Sequence, residues 1–152
     1  MVDLLQLQQY LEEVKAAVPA IKTTRLVIDD TQITEIIKEI KVSDNLILLG
    51  IVPAHQVRGT SYDNVQSKDI MAFLVLKKAD RKEKHSVFIT NLHKCQQAIR
   101  AVQLKLLTDM DDDENCGSFL RQLDVGSMAI DPVWQLGGAD GYEINFSLYT
   151  SI

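Results

Sequence analysis

Three histidines and two cysteines are all the imidazoles and thiols of this 152-residue chain, and neither set is arranged for metal or thiol chemistry. His85 and His93 stand eight apart, beyond the i, i+4 pairing of helical metal ligands, and His55 is far from both in sequence. Two cysteines make no disulfide framework, and Cys95 falls inside an apolar helical stripe, where a free thiol acts as a small hydrophobe. No apolar run approaches the roughly 20 residues that span a bilayer, and the first residues carry Asp3 and no basic stretch. No membrane is therefore expected. The thiols are expected to be reduced, in a cytoplasmic setting. Positive charge is also short: the net charge is −5. A surface that wraps nucleic acid needs the opposite sign, so no specific nucleic-acid partner is expected.

Catalytic patterns are missing too. Ser118 and Ser127 lack the Gly-x-Ser-x-Gly context of a nucleophile elbow. Gly137, Gly138 and Gly141 resemble a phosphate cradle only until the following residues read as a strand; a cradle opens a helix. They are expected to supply positive φ in a connection. The acidic run 109–114 fails as a calcium loop, because positions six and twelve counted from Asp109 hold Glu114 and Leu120 instead of glycine and glutamate. The reading is a non-enzyme with no metal and no cofactor.

What the chain does contain is periodicity. Leu4, Leu7, Leu11, Val14 and Val18 recur at 3, 4, 3, 4 and predict an amphipathic helix that Pro19 stops near Ala17. Residues 23–28 are rich in β-branched side chains and predict a short strand. Asp29, Asp30 and Thr31 then offer N-caps to a second helix carrying Ile33, Ile36, Ile37 and Ile40. Apolar runs at 46–52 and 70–76 predict a hairpin around the polar stretch 54–69, read as a long loop. Lys77, Lys78, Arg81, Lys82 and Lys84 predict a solvated turn. Phe88, Leu92, Cys95, Ile99, Val102 and Leu106 follow at 4, 3, 4, 3, 4, the stripe of a long helix over 86–108. A strand over 119–130 with a bulge at Gly126, a loop over 132–140 and a strand over 141–149 close the chain. The expectation is one α+β domain over 1–152. Its antiparallel sheet has about four strands, with the long helix and the N-terminal helix packed on it.

Three residues stand out as interface candidates. Arg58 and Tyr62, in the polar stretch, belong to types that carry interface energy, although a plain flexible hairpin tip would hold them equally well. Trp134, beside Pro132, is either a lid packed on the sheet edge or an exposed anchor for a partner.

In its order of elements the chain resembles the tail-terminator and neck-type proteins of long-tailed phages and prophages. The residues that carry the resemblance are the N-terminal helix, the hairpin of 46–52 and 70–76 and the helix 86–108. With them goes the ending Ile130-Asp131-Pro132 … Gly141-Tyr142-Glu143-Ile144-Asn145-Phe146. The resemblance implies a structural subunit that associates with itself into a ring and with other tail proteins, located in the host cytoplasm or the virion. The other class open to the chain is a small non-enzymatic binding or adaptor domain of a bacterial cell.

Overall fold

The computed structural model describes residues 1–43, 45–112 and 119–151. The end of the acidic run 109–114, the second cysteine, Cys116, and Ser118 lie outside the described residues.

Helix α1 (Leu4–Ala17) starts where the Asp3 carboxylate accepts from the backbone N–H of Leu5 and Gln6, and it ends before Pro19, as its stripe implies. Strand β1 (Ile21–Val27) leads to α2 (Asp30–Glu39). There the Asp29 carboxylate accepts from Gln32 N–H while the Gln32 amide oxygen accepts from Ile28 N–H. Strands β2 (Leu46–Gly59) and β3 (Val65–Lys78) form a long hairpin, followed by α3 (His85–Asp111), β4 (Leu123–Leu136) and β5 (Ala139–Ser151).

The fold is α+β: one five-stranded sheet in the order β1-β2-β3-β5-β4 with three helices, one of them long. The four expected strands, β2 to β5, are antiparallel to their neighbours, but the sheet is mixed because β1 adds a parallel fifth. Strand β1 runs parallel to β2 because α2 carries the chain back along the sheet between them; the other neighbours are antiparallel.

Helices α1 and α3 cover one face. Leu7, Leu11 and Val14 of α1 and Cys95, Ile99, Val102 and Leu106 of α3 pack with Leu48, Met71, Phe73, Val75, Ile144 and Phe146 of the sheet. The Tyr10 hydroxyl donates to Asp109 Oδ2 at 2.8 Å, and Lys105 pairs with the same oxygen, which ties α1 to α3. On the opposite face the short α2 buries Ile33 and Ile37 against Ile47, Leu49, Leu74 and Leu76. Burial on both faces is why β2 and β3 read as unbroken apolar runs, whereas β5 alternates. Gly50 sits beneath α1, where a Cβ would come within 2.7 Å of the Leu11 side chain.

Two stretches read as loops are strand. Residues 54–59 and 65–69 extend the β2–β3 hairpin as a paired arm with a 3-10 turn at Tyr62–Asn64; its β2 half is solvated and the buried side chains of its β3 half, Ser67 and Asp69, are polar, so it has strand hydrogen bonds without an apolar pattern. Residues 132–136 belong to β4, and the connection to β5 is a tight turn at Gly137 (φ 61°) and Gly138 (φ 92°). Pro132 is tolerated because β4 is an edge strand. The bulge lies where expected, between Asp124 and Ala129, but residues 119–122 are a 3-10 turn and not strand.

Candidate functional site

The three interface candidates are not brought together. Arg58 lies near the end of β2 and Tyr62 in the turn that caps the arm, with 96% of Tyr62 exposed. Trp134 lies at the opposite end of the sheet, on β4 next to the β4–β5 turn. It is 67% exposed, which excludes the lid. The Arg81 guanidinium carbon lies 5.9 Å from its ring centroid, a cation–π contact.

Arg81 is held in turn by Asp140, 8% exposed, at 3.1 Å, and Asp140 also accepts from Gln135 N–H at 2.8 Å. Together with Phe88 and His85 these residues line an open cleft of about 720 Å³. The basic run is thus not a free patch. Lys77 donates to the Val42 carbonyl and Lys78 to the Ile40 carbonyl, and Arg81 is paired with Asp140. A second cavity, of about 350 Å³, opens between the end of α1, the start of β2 and α3, with Val18, Leu46 and Ala98 on its walls and Lys77 and Lys94 at its rim.

A third constellation was not legible in the sequence. On the arm, His55 of β2 faces Asp69 of β3, and Val57 faces Ser67. Asp69 is fully buried; its Oδ1 lies 2.8 Å from His55 Nδ1, and its Oδ2 has no hydrogen-bond partner among the described residues but lies 3.6 Å from the Met1 ammonium. Ser67 Oγ is 3.1 Å from His55 Nδ1. Serine, histidine and aspartate in contact suggest a triad, but a triad needs the acid on one imidazole nitrogen and the nucleophile on the other. Here both meet Nδ1. The cluster joins β2 to β3 across the arm and lacks the arrangement of a triad. The signal in the sequence was the alternation of Ser67 and Asp69 opposite His55, which needs the pairing register before it can be read.

The cluster sets an order of stabilities. His55→Ala removes the hydrogen bond to a buried carboxylate and should cost roughly 1–3 kcal/mol. Asp69→Asn keeps the shape and removes the buried charge, and should cost less, about 1 kcal/mol or under. Urea denaturation of the two variants checks the order; a costlier Asp69→Asn would mean that the charge itself stabilises the arm.

Cys95 lies on the buried face of α3, and burial pushes its thiol up to about 12, which keeps it protonated. Tyr10 is raised far above its ordinary value, first by burial and then by its bond to Asp109. Among the described residues no three His, Cys, Asp or Glu side chains are grouped to hold a metal ion, and no helix is long and apolar enough to cross a membrane. No family model, curated protein or solved structure matches the chain.

Proposed function

We propose that the chain is a non-enzymatic structural subunit that assembles head to tail into a ring, of the terminator or neck type at the end of a phage or prophage tail. The observation that carries the reading is the open sheet: β1 ends it on one side and β4 on the other, and among the described residues neither has a second neighbour. A ring requires two different patches on one subunit that fit each other, and two unlike edges of one sheet are such patches. The paired arm supports the same reading, since it carries Arg58 and Tyr62 into solvent on a stiff hairpin suited to contact with other tail proteins. The net charge of −5 suits a lumen through which DNA passes without adhering.

One feature favours the alternative, a small non-enzymatic binding or adaptor domain of a bacterial cell. Trp134 stacked with Arg81 over a cleft is the kind of aromatic–arginine pair that anchors a single partner. Sedimentation and negative-stain microscopy, with and without a tail-tube preparation, separate the two readings. The ring reading expects closed particles several times 17.1 kDa. Monomers or dimers under both conditions would favour the adaptor.

A further inference from the structure

The two free edges match each other in length, sign and face. Strand β1 pairs regularly with β2 only over Thr23, Thr24, Arg25, Leu26 and Val27, after a register shift at its start. Strand β4 pairs regularly with β5 over Ala129, Ile130, Asp131, Pro132 and Val133, between two register shifts. Each edge therefore offers five regular residues. β1 carries Lys22 and Arg25 and no acid, whereas β4 carries Asp124 and Asp131 and no base. Pairing two copies of the same edge would place like charges together; pairing unlike edges joins opposite ones.

We infer that β1 of one subunit pairs with β4 of a second copy, continuing the sheet from subunit to subunit with Arg25 opposite Asp131 of the neighbour. The inference rests on the ring reading and names the surfaces that would build it. Strand direction supports it. β2 is parallel to β1, β3 opposes both, β5 opposes β3 and β4 opposes β5, so β4 runs against β1. A neighbouring sheet continued in the same orientation thus presents β4 antiparallel to β1, the pairing that short edges form most readily.

Face supports it as well. Arg25 pairs with Leu49, and Asp131 pairs with Glu143, which pairs with Leu74; Leu49 and Leu74 both lie in the core under α2. Arg25 and Asp131 therefore project on the same side of a continued sheet. With Arg25 opposite Asp131, Leu26 meets Ile130, Val27 meets Ala129 and Thr23 meets Val133.

Two local features of the subunit anticipate this contact. Asp131 stands directly across from Glu143, a like-charge pair at the edge that a cation would relieve. Pro132 has no N–H to give, but the residue opposite it is Thr24, whose carbonyl already accepts from Arg25 Nη1 at 2.8 Å.

The test is a charge exchange read by sedimentation, with far-UV circular dichroism as the fold control, since both residues are exposed. Arg25→Asp alone places two acids at each contact, and Asp131→Arg alone two bases. Each should raise the concentration of half-assembly roughly tenfold or more. The double variant Arg25→Asp/Asp131→Arg, and an equimolar mixture of the two single variants, should restore assembly. Wild-type assembly that is indifferent to both exchanges overturns the β1–β4 pairing and leaves the ring reading standing. A wild type that stays at 17.1 kDa both with and without the tail-tube preparation overturns both. Loss of assembly in the single variants without restoration in the double variant overturns the Arg25–Asp131 register.

Discussion

Ile99→Asp should yield a chain with no cooperative melting transition. Ile99 is fully buried midway along the α3 stripe, between Cys95 and Val102, against the sheet face built by Phe73, Val75 and Ile144. The substitution removes an apolar contribution of about 1.5–3 kcal/mol and leaves a carboxyl without a partner, which adds several kcal/mol more. A domain holds only about 5–15 kcal/mol in total. Circular dichroism during heating checks the expectation, with Ile99→Val as the control that should lose only about 0.5–1.5 kcal/mol. A soluble Ile99→Asp protein with a sharp transition would mean that α3 is not the clamp on this face.

Phe73→Ala should be the most costly truncation in the sheet, at about 3–5 kcal/mol. Phe73 sits on the central strand β3, completely buried, with its ring edge-on to Phe146 (centroids 5.3 Å apart, planes at 84°) and 6.5 Å from Tyr10. It therefore links the sheet to α1 as well as to β5, and its aromatic contact adds roughly 0.5–1.5 kcal/mol beyond the buried area. Urea denaturation should show a lower midpoint at an unchanged slope. A loss below about 1 kcal/mol would show that neighbouring side chains collapse into the space, contrary to the dense packing of this face.

The helices were legible because each buries one stripe: 3, 4 spacing placed α1 and the buried part of α3 correctly, and Asp29 marks the start of α2 by its chemistry. The sheet was legible only where it is covered. Ile47, Leu49, Leu74 and Leu76 meet α2 while their neighbours meet α1 and α3, so 46–52 and 70–76 appear as apolar runs. Beyond them the same strands leave the helices behind, and residues such as Gln56, Arg58 and Gln66 are solvated; hydrogen bonding continues there without any hydrophobic record. Pro132 and the glycine pair disguised the end of β4 as a loop, since an edge strand tolerates what a central one cannot. The parallel pairing of β1 depends on which face α2 takes, and no short-range pattern encodes that. Of the site residues, Trp134 was visible by type. The His55–Asp69 pair and the matched edges exist only once the register is known.

Strand order has a further consequence for how the chain reaches this state. β5 is the latest of the described strands in the sequence, yet it sits inside the sheet, between β3 and β4. Among the described strands β4 pairs with β5 alone, so it joins the sheet only through β5, and the side of β3 that β5 covers lies next to no earlier strand. The β1–α2–β2–β3 half can close through contacts near in sequence, and so can the β4–β5 hairpin, but joining β5 to β3 must bridge a separation that spans the whole of α3. Until that step the growing chain presents an unpaired inner strand with apolar side chains on both faces, the most adhesive surface it has, to its surroundings. In a cell making many copies at once, the interval before β5 docks is when neighbouring chains can pair with the wrong edge.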